Sequence, residues 1–229
     1  MASAAQSASV IAIDGPSGAG KGVVALGVAA RFGFHLLDSG AVYRAAALIA
    51  KRANAEIRSE ASVLAALSID QATFHPQGTA GLSVMIGDEN VTDALRTQQV
   101  AEIASQIAVM PGVREALLDE QRSFRQPPGL VADGRDMGTV VFPDALLKVF
   151  LTASLEERAI RRANQLKEKG IETTMHTLIA EIESRDKRDS TRNHAPLVCA
   201  DDALFIDSSA LSIKEVIELI VAAKKKAET

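Results

Sequence analysis

Several residue types and patterns are scarce in this chain of 229 residues, and each scarcity disfavours a class of protein. Tryptophan is absent and aromatic residues make up 3% of the chain, so platforms that stack single-stranded nucleic acid are not expected. A formal net charge of −4 disfavours sequence-independent DNA binding, which normally requires a basic protein. Cys199 is the only cysteine, which excludes a disulfide within the chain and fits a reducing cytosol. No apolar run approaches the roughly 18 residues of a membrane span.

The composition and the N-terminal residues both favour a soluble protein without a signal peptide. Hydrophobic residues make up 47% of the chain and charged residues 24%, as in soluble globular proteins. Met1–Ser9 is rich in Ala and Ser, and no Lys or Arg precedes Lys21. The segment therefore lacks the charged region and apolar core of a signal peptide, and we expect a disordered tail.

Short apolar runs alternate with helical patterns along the chain, which predicts βα units on a parallel sheet. Helices are expected over Val23–Phe32, with Gly33 as the C-cap, and from Ala41 onward. The predicted strands are Val10–Asp14, Phe34–Leu37, Leu130–Asp133, Lys148–Leu151 and Leu204–Asp207. Five strands in this pattern predict a doubly wound α/β core.

Two segments interrupt this rhythm. In Ile69–Val91, alternating apolar residues and a turn at Gly87–Asn90 predict a small antiparallel β unit. Ser154–Arg192 is polar and rich in arginine, and Ser154 with Glu157 forms a capping box that opens a helix ending at Gly170. Ser212 and Glu215 form a second box before the last helix. Both interruptions are expected to be insertions within one folding unit.

A glycine-rich loop follows the first predicted strand and precedes a helix. Its residues fit G-x-x-x-x-G-K: Gly15, Pro16, Ser17, Gly18, Ala19, Gly20 and Lys21. In such a loop the backbone N–H groups surround phosphate oxygens, the helix N-terminus adds positive charge, and the lysine reaches the terminal phosphates. A glycine-rich turn without a ligand is the alternative, but the strand–loop–helix context favours phosphate binding.

The two residues after the lysine indicate which class of nucleotide-binding protein the loop belongs to. Gly22 stands where the phosphate-loop pattern has a magnesium-binding Ser or Thr, and Val23 follows it. Nucleoside monophosphate kinases commonly carry Gly-Lys-Gly at this point, so Gly22 favours that class over switch GTPases. Magnesium would then be held mainly by nucleotide phosphates and water. Asp133 is a candidate ligand through water because it ends a predicted strand, while an N-cap is its alternative role.

Five segments, spread over nearly the whole chain, carry a resemblance to a known family. They are IDGPSGAGKG (Ile13–Gly22), LLDSGAVYRAA (Leu36–Ala46), VREALL (Val113–Leu118), ADGRDMGTVVFPDA (Ala132–Ala145) and RDKRDSTR (Arg185–Arg192). In this order they resemble the bacterial cytidylate kinases. The Asp-Ser-Gly and Asp-Gly-Arg-Asp-Met-Gly motifs are far more specific than a phosphate loop alone. The family usually has Thr where this chain has Val23, which affects one side-chain contact near the α-phosphate.

The resemblance implies a single cytidylate kinase domain that phosphorylates CMP with ATP, with dCMP as a second acceptor. Residues 10–62, 111–153 and 193–229 would form the core, 63–110 the insert that binds the monophosphate, and 154–192 a lid. ATP and Mg²⁺ are the implied ligands. We expect a cytoplasmic monomer of pyrimidine nucleotide metabolism, with neither nucleic acid nor membrane as a partner.

The same resemblance assigns roles to individual residues. By resemblance, the residues that serve the transfer itself are Lys21, Arg135 and Arg192, and those that hold the acceptor phosphate are Ser39, Arg44, Arg135 and Arg192. Cytosine is bound by Ser105, Arg114 and Asp136, and the pentose is contacted by Arg185 and Asp189. The residues that close over ATP are Arg158 and Arg162. The chemistry fits, because guanidinium groups bind two phosphate oxygens at once. The exocyclic amine of cytosine is a donor and pairs with a carboxylate.

Alternatives remain open for both the residues and the function. Single arginines are ordinarily solvent-facing, and Arg158 and Arg162 could belong to a solvated helix face with Glu156 and Glu157. A related kinase acting on UMP, AMP or shikimate is one rival function. A regulator that holds ATP without transferring phosphate is another, although it would need only one nucleotide site.

Overall fold

A computed structural model of the chain describes residues 8–67, 72–76, 82–168 and 170–227. Residues 1–7 of the expected tail lie outside the described residues. Ser9, which the sequence assigned to the tail, is instead the first residue of a strand. Its neighbour Ala8 is buried, and the Ala8 carbonyl accepts a hydrogen bond from Nε of Arg125 at 2.9 Å.

Helices and strands alternate as the sequence pattern predicts. The strands are β1 (Ser9–Asp14), β2 (His35–Asp38), β3 (Ala72–Pro76), β4 (Leu82–Ile86), β5 (Glu89–Asn90), β6 (Gly129–Gly134), β7 (Leu147–Thr152) and β8 (Leu204–Asp207). The helices are α1 (Lys21–Phe32), α2 (Ser39–Arg52), α3 (Glu60–Ala66), α4 (Gln98–Ile107), α5 (Pro111–Ser123), α6 (Leu155–Glu168), α7 (Met175–Thr191) and α8 (Ile213–Ala227). A 3₁₀ turn covers Ala94–Arg96, and a π-helical turn covers Met137–Val141.

The main sheet confirms the predicted α/β class. It is a five-stranded parallel sheet with the order β2-β6-β1-β7-β8. Val10, Ile11, Ala12 and Ile13 of β1 are all fully buried. This explains why β1 reads as a continuous apolar run, since strands of a parallel sheet are covered on both faces.

The predicted antiparallel unit is also present. Strands β3, β4 and β5 form a separate three-stranded antiparallel sheet. Residues 69–71 and 77–81 of the predicted segment lie outside the described residues. Gly87, in the predicted turn, has φ +56°, a left-handed conformation that glycine adopts without steric cost.

The chain divides into two compact units. The first comprises Met1–Ser9 and Ala29–Ala132, and the second comprises Val10–Val28 and Asp133–Thr229. In the first unit, α2 packs against both α4 and α5. In the second, α6 packs against α7 through Ala159, Leu166, Leu178 and Ile182.

The two predicted capping boxes differ in the structure. At Ser212 the box is complete: Glu215 N–H donates to Oγ of Ser212, and a Glu215 oxygen accepts from the Ser212 N–H at 2.8 Å. At Ser154 one half forms, because Oγ of Ser154 accepts from the Glu157 N–H at 3.2 Å. The Ser154 N–H instead donates to Ser209, and the Glu157 carboxylate binds Arg161.

Glycines follow the ends of α1 and α6, as the sequence predicts. Gly33 has φ +66° and directly follows α1, and the Phe34 N–H donates to the Ala29 carbonyl, so the predicted C-cap is confirmed. Gly170 has φ +70° and follows α6 as predicted. Among the helices of the described residues, none combines the length and the apolar character that crossing a bilayer would require.

Candidate active site

The glycine-rich loop lies between the buried end of β1 and the first turn of α1, within the second unit. Lys21 folds back over it and donates from Nζ to the Pro16 carbonyl at 2.8 Å. Gly15 lies so close to β7 that a Cβ atom there would collide with the Leu151 carbonyl. Gly20 has φ +88°, a conformation that residues with a side chain rarely adopt. Both glycines are therefore required by the loop geometry, which has the form of a phosphate cradle.

Lys21 is a buried cation. Its side chain is 6% exposed, and Nζ lies 4.0 Å from an Asp133 oxygen. Burial lowers the pKa of Lys21 well below its usual range; the positive charges of Arg135 and Arg185 lower it further, while Asp133 acts in the opposite direction. A phosphate anion in the loop would compensate this excess of positive charge.

Beside Lys21, the carboxylate of Asp133 is a candidate to hold a magnesium ion. Asp133 lies in β6, and the residue after Lys21 is Gly22, which has no hydroxyl. Within the described part of the chain, no group of three or more His, Cys, Asp or Glu side chains is arranged to hold a metal. This donor set fits Mg²⁺, which keeps several waters and takes its remaining ligands from phosphates and one or two carboxylates.

The turn after β6 carries Arg135 and Asp136. Asp14, the last residue of β1, accepts hydrogen bonds from the backbone N–H groups of Met137 and Gly138, both at 2.8 Å. Asp14 is 5% exposed, and burial raises its pKa to about 6 although both hydrogen bonds lower it. The sequence analysis assigned no role to Asp14. A carboxylate at the end of a strand that feeds a phosphate loop was the available signal.

Two arginine–carboxylate pairs join this turn to α7 and the residue after it. Nε of Arg135 donates to Asp189 at 2.8 Å, and Nη2 of Arg192 lies 3.5 Å from Asp136. Burial alone would raise the pKa of Asp189, but Arg135, together with the charges of Arg185 and Arg192, outweighs it and the pKa is lowered. Arg185 lies close enough to lower the pKa of both Lys21 and Asp189. The structure therefore brings together Lys21, Asp133, Arg135, Asp136, Arg185, Asp189 and Arg192.

Helix α6 presents two arginines to the glycine-rich loop. Nη1 of Arg158 donates to the Ser17 carbonyl at 3.1 Å and to Asp186 at 2.6 Å. Nη1 of Arg161 donates to the Ala19 carbonyl at 3.3 Å, and Nη2 donates to the Ser208 carbonyl. Among the contacts of the described residues, none joins Arg162 to the loop. The spacing in the sequence places Arg158, Arg161 and Arg162 on one helix face, but Arg158 and Arg162 were the two assigned to ATP, and the role of Arg161 was not predicted.

The remaining predicted residues lie in the first unit, on three helices that pack together. Arg44, in α2, donates to Asp38 at 2.8 Å, and Asp38 also caps α2 by accepting from the Ala41 N–H. Arg114, in α5, lies 5.8 Å from the ring centre of Tyr43, also in α2. Ser105 is buried in α4.

Ser39, at the start of α2, is oriented by a buried glutamine. Its hydroxyl donates to Oε1 of Gln121 at 2.9 Å, and the Gln121 amide nitrogen donates to the Leu117 carbonyl. Gln121 is 2% exposed. Sequence reasoning missed Gln121, because a lone glutamine in a helical pattern gives no signal of burial.

Comparisons with known proteins identify the relatives of this chain. A family model described as Cytidylate kinase matches residues 11–226. A cytidylate kinase of Proteus mirabilis strain HI4320 is 52% identical over 217 residues, which are 95% of this chain and 96% of that protein. A cytidylate kinase of Pseudomonas aeruginosa strain UCBPP-PA14 is 53% identical over 213 residues, 93% of each chain. One of Methylococcus capsulatus strain Bath is 53% identical over 214 residues, 93% of this chain and 95% of that protein.

Proposed function

Because this chain belongs to the cytidylate kinase family, we propose that it transfers the γ-phosphoryl group of ATP to CMP, and to dCMP as a second acceptor. The products are ADP and CDP or dCDP. The observation that carries this proposal is the cluster of Lys21 with Arg135, Arg185 and Arg192 beside the phosphate loop. Phosphoryl transfer needs alignment and charge compensation more than a chemical base, because the acceptor oxygen is already ionised.

The donor nucleotide is assigned to the phosphate loop. Residues 15–23 surround its phosphates, with backbone N–H groups from every residue except Pro16, and Lys21 compensates charge on the transferring group. Arg158 and Arg161 support the loop from α6 through the Ser17 and Ala19 carbonyls, and Arg158 and Arg162 are proposed to contact ATP. Asp133 would hold Mg²⁺ through water, and the ion would supply positive charge that compensates the phosphates.

The acceptor phosphate is assigned to Arg44, Arg135 and Arg192, with Ser39. Arg44, Arg135 and Arg192 each lie beside a carboxylate: Asp38, Asp189 and Asp136, respectively. These carboxylates hold the guanidinium groups in place, which lowers the entropic cost of ordering them around a phosphate. Bidentate contacts then fix the direction of the acceptor oxygen toward the γ-phosphorus.

The base and the sugar are assigned to five further residues. Asp136 accepts from the cytosine amino group, and Ser105 and Arg114 serve the acceptor edge of the base. Arg185 and Asp189 contact the pentose. Uracil presents a carbonyl where cytosine has its amine, so a carboxylate at that point would exclude it.

The wider setting follows from these substrates. The reaction belongs to pyrimidine nucleotide metabolism, and we place the enzyme in the cytoplasm as a monomer. Residues 63–110 are proposed as the monophosphate-binding insert and 154–192 as the lid. Light scattering at micromolar concentration tests the monomer, since a stable dimer would double the mass.

An acceptor screen tests the function. ATP with Mg²⁺ is incubated with CMP, dCMP, UMP and AMP in turn, and ADP formation is followed. We expect rapid ADP release with CMP and dCMP and little with UMP or AMP. Preference for UMP or AMP would favour the rival kinase, and no ADP with any acceptor in a protein that binds ATP would favour the regulator.

A further inference from the structure

Asp14 is a buried carboxylate to which the reaction assigns no task. It ends β1 and is 5% exposed. Its two oxygens accept separately from consecutive backbone N–H groups, Oδ1 from Met137 and Oδ2 from Gly138, each at 2.8 Å. A carboxylate so placed fixes the position of a short backbone segment through two hydrogen bonds, each strengthened by the negative charge.

The segment it holds is the start of the π-helical turn Met137–Val141. The first N–H groups of a helical turn have no partner within the turn, and here Asp14 provides it. Met137 is fully buried, and a Cβ on Gly138 would lie 3.1 Å from Cγ of Lys148 and 3.4 Å from an Asp14 oxygen. The backbone at Gly138 therefore runs in close contact with the side chains of Asp14 and Lys148.

The turn matters because Arg135 and Asp136 immediately precede it. Arg135 pairs with Asp189 at 2.8 Å, and Asp136 lies 3.5 Å from Arg192. A displacement of Met137 and Gly138 would move Arg135 and Asp136 away from these partners. Lys21, in contrast, is held by a hydrogen bond to the Pro16 carbonyl, and the charge of Asp14 affects the pKa of Lys21 less than Arg135, Asp133 or Arg185 does.

We propose that Asp14 is a positioning residue for acceptor binding: by accepting the N–H groups of Met137 and Gly138 it sets the geometry of Arg135 and Asp136. The inference rests on the proposed function, in which these two residues bind CMP. Asp14 acts through the backbone of this turn, to which both of its oxygens are hydrogen-bonded. Burying a carboxylate costs desolvation free energy that an apolar side chain at this position would avoid. The presence of a carboxylate here therefore supports a positional role.

The test is Asp14→Asn, compared with Glu215→Gln as the matched control. Asparagine keeps the shape but offers one oxygen, so that its amide nitrogen faces one of the two N–H groups. Glu215→Gln makes the same chemical change in a carboxylate that also accepts a backbone N–H, in the capping box of α8. KM for CMP and for ATP is measured for each variant, together with amide hydrogen exchange in peptides that cover residues 134–142.

In Asp14→Asn we expect KM for CMP to rise on the order of tenfold or more, with a much smaller change in KM for ATP. Exchange in residues 134–142 should become faster, and Glu215→Gln should match the wild type in all three measurements. Equal increases in both KM values, or unchanged exchange in this peptide, would overturn the proposal.

The proposed function and the positioning role of Asp14 can fail independently, and a second variant tests the positioning role. If the wild type does not phosphorylate CMP, the proposed function fails, while hydrogen exchange still decides whether Asp14 holds the turn. If Asp14→Asn does not fold, Gly134→Ala replaces it, because the added methyl group would lie 2.7 Å from Cγ of the buried Met137 and so displaces the same turn. Gly134→Ala should then raise KM for CMP more than KM for ATP, and an unchanged KM for CMP would count against the positioning role.

Discussion

At the scale of single residues, the candidate site consists of buried charges that compensate one another. Asp14 and Lys21 are each less than 10% exposed, and Arg135 and Arg192 each lie beside a carboxylate. Such an arrangement is costly in desolvation and gives little stability in return. Its value lies in presenting fixed charge to an anionic ligand, which has consequences for substitutions at the site.

Lys21→Met should abolish turnover while the fold is retained. The methionine fills a similar volume but removes the cation that compensates charge on the transferring phosphoryl group, and this should lower kcat by about a hundredfold or more. Thermal unfolding should be unchanged or shifted upward, because an unfavourable buried charge is lost. A folded variant with wild-type kcat would show that the loop is not the donor site.

Asp136→Ala should lower kcat/KM for CMP far more than for UMP. With UMP the carboxylate faces a carbonyl oxygen and has no donor, and sites built around such a polar partner discriminate by roughly 10⁴. The variant should therefore reduce the ratio of the two constants, measured at saturating ATP. Arg114→Ala, measured in the same assay, should weaken CMP as well. An equal loss for both acceptors in Asp136→Ala would reassign this residue to holding Arg192.

At the scale of secondary structure elements, α6 supports the phosphate loop. Arg158 and Arg161 both donate to loop carbonyls, whereas α6 itself is fixed against α7 by an apolar cluster. Arg161 also donates to Ser208, directly after β8. A single guanidinium thus connects the loop, α6 and the end of β8.

Arg161→Gln should raise KM for ATP more than Arg162→Gln does. The first change removes the hydrogen bonds to Ala19 and Ser208, each of which contributes about 1 kcal/mol, whereas Arg162 has no such contact among the described residues. KM for ATP at saturating CMP is the measurement for both variants. A larger effect from Arg162→Gln would support its proposed contact with ATP and contradict the greater importance of loop support from Arg161.

At the scale of the whole molecule, Asp14 links the free energy of unfolding to pH. Its pKa in the folded protein is about 6, against 3.8 as its ordinary value, so the folded state binds the proton more tightly than the unfolded state does. The stability that this group contributes is complete below pH 4 and is lost as the pH rises through 6.

The free energy of unfolding of the wild type, relative to Asp14→Asn, should therefore fall by up to about 3 kcal/mol between pH 4 and 7. Urea unfolding at several pH values measures the difference. Glu215→Gln is a control of opposite sign, because hydrogen bonds from Ser212 lower the pKa of Glu215 and its contribution is lost as the pH falls. A pH-independent difference for Asp14→Asn would mean that its pKa is not raised.

Local patterns were enough to predict much of the architecture. The apolar run of β1, the G-x-x-x-x-G-K spacing of the loop and the box at Ser212 are patterns among residues close together in the chain, so they can be recognised from the order of residues alone. The same reasoning erred at Ser9 and found half of the box at Ser154, because Ser209, 55 residues away, takes the other hydrogen bond.

The sequence by itself determined the class of fold, the phosphate loop and the family, since these reside in short motifs and their order along the chain. Only the tertiary structure decided which charges meet. Asp14 contacts a turn 123 residues away, and Arg161 reaches Ala19 at a separation of 142 residues. Such pairings form because parallel strands bring segments that are distant in sequence to the same edge of the sheet. A buried charge then interacts with the groups that lie near it in space, whatever their separation along the chain.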